Sequence, residues 1–122
     1  MSGTNYLIDT CTLIGLQKRT DDSMALLAGK NIHQCAISLV TYMEFVGFYG
    51  VDRATAKTLE QIANSFTCLP ISQSVAQKTI EIRQQYKIKL PDALILATAK
   101  TYGLELLTLD DKLERIASTL NE

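Results

Sequence analysis

Four short apolar runs, each followed by helix-like sequence, constrain this chain more than any other feature. They lie at residues 5–8, 35–37, 67–71 and 104–108. Each is too short for a helix of its own and reads as a buried strand. The sequence between them carries helix signals. Residues 10–17 follow Asp9, with Lys18 and Arg19 at the end that favours cations. Residues 24–28 follow the cap-like cluster 20–23 and stop at Gly29. Ser38 caps a helix from Leu39 to about Phe48, and Asp52 opens another. The latter presents Ala56, Leu59, Ile62, Ala63 and Phe66 on one face. Ser72 or Ser74 caps the next. Pro91 fits the first turn of the one after, which runs to Gly103. Asp110 or Asp111 begins the last. Such alternation predicts an α/β fold, with a central parallel β-sheet of four to five strands and helices on both faces. Pro70 marks the third strand as an edge strand or a strand end. No repeat, low-complexity tract or linker divides residues 1–122, so one domain is expected.

Composition narrows the function classes. Hydrophobic residues make up 47% and charged residues 20%, a globular balance rather than a disordered one. The net charge of −1 does not by itself announce a nucleic-acid partner. Cys11, Cys35 and Cys68 are odd in number, far apart and without a C-x-x-C pair, and His33 is the sole histidine. A disulfide framework or a zinc site is not expected, and the cysteines read as small buried hydrophobes in a reducing compartment. No apolar stretch is long enough to span a membrane, and no basic segment with an apolar signal core opens the chain. The expectation is a cytoplasmic protein.

Against this background, four acids stand in apolar settings. Asp9 ends the first run, and Asp110 lies just past the fourth. Glu44 sits two turns into the helix after the second run, among Tyr42, Met43, Phe45, Val46 and Phe48. Asp92 is in the first turn of the helix before the fourth run. In an open parallel sheet, sites form beyond the carboxyl ends of the strands. Each acid also has a plain structural role: Asp92 as a helix-dipole partner, Asp110 as an N-cap, Glu44 on a solvated face, Asp9 as a cap of the next turn. Together, at the mouth of one sheet, they point to a site. Two like charges at about 4 Å repel by roughly 4 kcal/mol at an effective dielectric near 20. A divalent cation turns that repulsion into binding. Oxygen-only ligands favour Mg2+ or Mn2+ over zinc. Such an ion can activate a water and stabilise charge in phosphoryl displacement. The chain has neither a GxxxxGK[ST] loop nor a GxGxxG turn, and its one histidine lies outside every apolar-acid cluster, which leaves no Ser-His-Asp logic.

Residues 6–10 (Tyr-Leu-Ile-Asp-Thr), 38–45, 90–99 (Leu-Pro-Asp-Ala-Leu-Ile-Leu-Ala-Thr-Ala) and 106–110 form an ordered set. By them, the chain resembles a PIN-domain ribonuclease of the VapC type, the toxin of type II toxin–antitoxin pairs. The resemblance spans almost the whole chain. It implies a PIN-like domain and a Mg2+- or Mn2+-dependent endoribonuclease, with Asp9, Glu44, Asp92 and Asp110 as metal-binding, catalytic acids. Asp110 is preferred over Asp111 because the family pattern is Thr-x-Asp, here Thr108-Leu109-Asp110. Thr10 and Thr108 match hydroxyl positions beside the acids, where they would orient ligands or water, with core hydrogen bonding as the plainer role. The resemblance further implies a homodimer, an RNA substrate such as tRNA, and a cognate antitoxin whose C-terminal segment blocks the site.

The charge can then be reread. Setting the four acids aside leaves nine against twelve lysines and arginines, an excess of three positive charges. Arg83, Lys87 and Lys89 approach Asp92 from the N-terminal side and are candidates for RNA phosphate contacts, or else a solvated helix end. Tyr49 and Tyr86 can stack on unpaired bases, but core or rim packing is the expectation for each. A receiver domain would need a phospho-acceptor Asp after the third strand, where Ile71-Ser72 stands. A haloacid-dehalogenase-like phosphatase needs D-x-D after the first strand, where Cys11 replaces the second acid. The closer rival is a catalytically inactive PIN-like module that only binds RNA or protein.

Overall fold

Strand β1 (Tyr6–Ile8) occupies an inner position in a four-stranded sheet. The computed structural model describes residues 3–120, so the expected domain range of 1–122 extends past the described residues at both ends. β2 (Cys35–Ser38) and β4 (Glu105–Leu107) flank β1, and β3 (Thr67–Leu69) lies outside β2, giving the order β3-β2-β1-β4. Every pairing is parallel, in the registers Leu7↔Ala36, Leu7↔Leu106 and Ile37↔Cys68. The sheet is therefore the expected parallel one, at the four-strand end of the expected range. Pro70 follows an edge strand, where a missing donor costs no ladder bond.

The helices are α1 (Thr10–Lys18), α2 (Asp21–Leu27), α3 (Leu39–Val46), α4 (Arg53–Ala63), α5 (Gln73–Gln85), α6 (Leu90–Tyr102) and α7 (Asp111–Leu120). A short 3-10 turn, Ile32–Gln34, was not anticipated and leads into β2. The period-2 alternation of the inner strands divides the core. Ile8, Cys35 and Ile37 pack on one side with Leu13, Phe45, Leu59, Ala63 and Phe66 of α1, α3 and the α4 region. Leu7 and Ala36 pack on the other with Ile95 and Ala99 of α6. A further cluster joins Val75 and Ile82 of α5, Leu96 of α6, and Leu113 and Ile116 of α7. Helices thus cover both faces. Each fully buried aliphatic side chain contributes roughly 1.5–3 kcal/mol.

Two expectations about side chains need correction. Cys35 is buried, but Cys11 and Cys68 are exposed. Cys68 lies on the edge strand, which has a neighbour on one side only, and Cys11 sits in the first turn of α1, beyond the end of the sheet. Tyr49, expected to pack in the core or rim, is 97% exposed, in the turn between α3 and α4 beside Gly50, whose φ is 83°. All three cysteines are free, and His33 is exposed ahead of β2. Among the described residues no helix is long and apolar enough to cross a membrane.

Candidate active site

Asp9 leaves β1 and is tied to the neighbouring strand end through its amide, which donates to Leu107 O at 3.4 Å. Its side chain is 3% exposed, with both oxygens engaged. Oδ1 accepts from the Thr12 amide at 2.9 Å, so Asp9 caps α1. Oδ2 accepts from Thr108 Oγ1 at 2.5 Å. The same Thr108 oxygen accepts from the Asp110 amide at 3.0 Å. Thr108 therefore joins the end of β1 to the segment that follows β4.

Asp110 caps α7, accepting on Oδ1 from the amides of Lys112 and Leu113 at 2.9 and 3.1 Å. Asp111, the neighbouring alternative, is the first residue of that helix. Glu44 is exposed on α3, and Thr10 Oγ1 donates to its Oε1 at 2.6 Å. Thr10 also meets Thr41 Oγ1 at 3.1 Å, and Ser38 Oγ donates to Thr41 Oγ1 at 3.2 Å. Ser38 caps α3 through the Thr41 amide, so one hydroxyl chain links the end of β2 to Glu44. Asp92 lies in the first turn of α6 behind Pro91, placed there by the packing of α6 against α5 and the sheet.

Electrostatics show that the four acids share one neighbourhood. Burial raises the Asp92 carboxyl above its ordinary value; Asp110, Glu44 and Asp9 push it further, and Lys89 partly opposes them. Burial likewise raises the Cys11 thiol, followed by Asp9, Asp92, Asp110 and Glu44. The two groups stand on different helices, yet each feels the whole set.

Proximity stops short of coordination. Among the described residues, no three His, Cys, Asp or Glu side chains are placed to hold one ion together. The hydrogen bonds explain this in part. Asp9 is turned to Thr12 and Thr108, Glu44 to Thr10, and Asp110 to its own helix. A carboxylate oxygen facing such a donor keeps a hydrogen bond that a charge turned toward its like neighbours would lack. The donor chemistry, carboxylate and hydroxyl oxygen without histidine, still suits Mg2+ or Mn2+.

A cleft of about 460 Å³ opens beside Asp92 and Asp110, and Arg83, Lys87, Lys89 and Lys112 line it. The three cations singled out by sequence are thus gathered next to two of the acids. Lys112 was missed, although it stands only two residues beyond Asp110; its Nζ donates to Lys87 O at 2.6 Å. Thr41 and Ser38 were also missed as part of the hydroxyl chain, and the Ser-x-x-Thr cap spacing was the available signal. Glu44 faces a different groove of about 200 Å³, lined by Ile14, Phe48, Val51 and Leu59.

No curated protein matches the chain. Among solved structures, it is similar to a chain of a toxin–antitoxin complex from Klebsiella pneumoniae, at 38% identity over 88% of each chain with a TM-score of 0.74. It is also similar to FitAcB from Neisseria gonorrhoeae, at 24% identity over 93% of each chain and a TM-score of 0.74. A third likeness is to VapBC2 from Rickettsia felis, solved with a DNA fragment from its promoter, at 20% identity over 92% of each chain and a TM-score of 0.72. At these lower identities the last two are likenesses of fold. The family model for the PIN domain matches residues 6–118, nearly the whole described chain, and the protein belongs to the PIN domain family.

Proposed function

We propose that this protein is a Mg2+- or Mn2+-dependent endoribonuclease, the toxin of a type II toxin–antitoxin pair. The observation that carries the reading is the convergence of charge: Asp92 on α6 and Cys11 on α1 each sense the acids of the other elements. Asp9, Glu44, Asp92 and Asp110 would hold the metal. When bound, the ion would supply an activated water and neutralise charge developing on the phosphodiester. Thr108 holds Asp9 in place through Oδ2, and Thr10 holds Glu44. Arg83, Lys87 and Lys89, with Lys112, would position RNA phosphates beside the acids. Glu44, exposed, and Asp9, buried, would be ligands from the two ends of the site.

The likeness to a toxin–antitoxin complex supports a cognate antitoxin as partner. The groove lined by Ile14, Phe48, Val51 and Leu59 includes Glu44, and it suits an apolar antitoxin segment that would reach that acid. Homodimerisation, a tRNA substrate and a cytoplasmic location belong to the same reading.

Purified protein incubated with mixed RNA tests it. Cleavage should require Mg2+ or Mn2+ and stop in EDTA. Asp9→Asn and Asp92→Asn should each lower the rate by more than about 100-fold. Cutting that survives either substitution, or that ignores EDTA, rejects the assignment. RNA binding by a wild type that cuts nothing would favour the inactive binding module.

A further inference from the structure

Beside the acidic cleft a second one opens, of about 470 Å³, along the C-terminal half of α5 and the turn into α6. Arg83, Lys87 and Ile88 line both clefts and form the wall between them. The two differ in chemistry. The first contains Asp92 and Asp110, whereas no carboxylate lines the second. Its surface comes from Ile80, Tyr86 and Leu90, with Gln84 at hand as an amide donor and acceptor. Ile80 and Leu90, 50% and 48% exposed, give this cleft apolar surface open to solvent. Tyr86 is half-buried and packed against the cluster of Val75, Ile82 and Leu96, so its ring is already held. Among the described residues the one ion pair is Lys78–Glu81, and neither Arg83 nor Lys87 is neutralised by direct contact with a carboxylate.

Acids, then cations, then an aromatic and aliphatic pocket follow one another along this surface. A polynucleotide presents a matching order of scissile phosphate, neighbouring phosphate and base. We propose that the second cleft is a nucleotide subsite, in which Tyr86 stacks on an unpaired base flanking the scissile phosphate while Arg83 and Lys87 hold the phosphate between the clefts. The inference rests on the nuclease reading and adds to it a base-stacking platform at Tyr86 beside the acids. A base inside a duplex has both faces covered by its neighbours and cannot offer one to Tyr86. Stacking on a ring already fixed by the core costs little ordering entropy and tolerates any base. Gln84 can add a contact to the base edge.

The test uses the full chain and a fluorescein-labelled octauridylate, read by anisotropy in EDTA so that nothing is cut. Tyr86→Leu should weaken binding by about tenfold, while Tyr86→Phe stays within about twofold of wild type. Arg83→Gln should weaken binding and lower the salt slope by about one. A duplex RNA of the same length should respond to Arg83→Gln but not to Tyr86→Leu. Photo-crosslinking of 5-iodouridine RNA to the unaltered protein should label Tyr86, a readout independent of how any variant folds. Equal binding by wild type and Tyr86→Leu, or crosslinks that avoid Tyr86, overturn the subsite. So does an Ile80→Glu variant that changes the oligomeric state by light scattering without moving RNA affinity, since the cleft would then hold a second copy of the chain. If wild type cuts RNA in Mg2+ under any of these outcomes, the nuclease reading survives and only the subsite falls. If wild type neither binds nor cuts RNA, both fall.

Discussion

Thr108 carries two hydrogen bonds that no other side chain supplies. Its hydroxyl gives its one proton to Asp9 Oδ2 and takes the Asp110 amide on its lone pair. Thr108 is 5% exposed and Asp9 3%, so water has little access to replace either bond. Thr108→Val keeps the shape and removes both. We expect a loss of about 1–3 kcal/mol in urea unfolding, because a buried carboxylate oxygen and an amide lose their partner together. We also expect RNA cleavage to fall by about 10- to 100-fold, as when a group that orients a metal ligand is lost. Thr108→Ser should recover most of both. A Thr108→Val protein with wild-type stability and rate would mean that Asp9 orients itself. Thr10 offers the milder comparison, since its partner Glu44 is exposed and water can substitute for the bond.

Between elements, α1 and α2 meet closely at Gly15. A methyl added at Gly15 would lie 1.9 Å from Ser23 Oγ and 2.9 Å from Thr20 Oγ1. Ser23 is fully buried, and its hydroxyl has no hydrogen-bond partner among the described residues. Gly15→Ala should therefore destabilise by more than about 2 kcal/mol in thermal melts, despite the better helix propensity of alanine. Ser23→Ala should be neutral or stabilising by up to about 1 kcal/mol, since it removes a buried unsatisfied hydroxyl. Gly15→Ala with Ser23→Gly should lose less than the two single changes summed, because the sites touch. Additive losses would show that the two helices move apart instead of clashing. This contact was invisible in sequence, where Gly15 and Ser23 read as ordinary helix and cap residues. What could be read was local chemistry. Asp9, Ser38, Asp52 and Ser72 each accept an amide at a helix start, and Gly103 ends α6 with φ of 65°. Both devices depend on residues a few positions apart. The strand runs were legible for the same reason, and Pro70 marked an edge. The exposure of Cys11 and Cys68 was not legible, because it depends on which neighbours a turn or an edge strand lacks. Among the acids, Asp9 and Asp110 could be placed from their strands, whereas Asp92 needed the packing of α5 on α6. Lys112 was hidden because its reach across to Lys87 joins α7 to the turn after α5.

The charge at the mouth of the sheet belongs to the molecule as a whole, because the four acids come from four separate segments. Asp92 measures its cost. Burial, then Asp110, Glu44 and Asp9, raise its carboxyl above the ordinary aspartate value. The folded state thus holds this proton more tightly than the unfolded chain does. That contribution to stability is full below the ordinary aspartate value and disappears as pH rises through the raised one. At pH 7, without metal, the ionised Asp92 therefore opposes folding. Asp92→Asn should raise the melting temperature of the metal-free protein at pH 7 by a few degrees, on the order expected for a surface charge cluster. The advantage should shrink as pH falls through the raised value toward the ordinary one. Mg2+ should reverse the ranking. An ion that binds only the folded state at a hundredfold excess over its Kd adds about 2.7 kcal/mol, which is roughly 10 °C for a chain of this size. Wild type should gain that shift and Asp92→Asn most of it should lose. The same substitution would then stabilise the empty protein and abolish the activity, as expected where a site is held against its own repulsion. Differential scanning fluorimetry across pH, with EDTA or Mg2+, reads both signs at once. A less stable Asp92→Asn at pH 7 in EDTA would show that Asp92 serves the fold through its place in the first turn of α6. A wild type indifferent to Mg2+ and Mn2+ would show that the acids do not gather a cation.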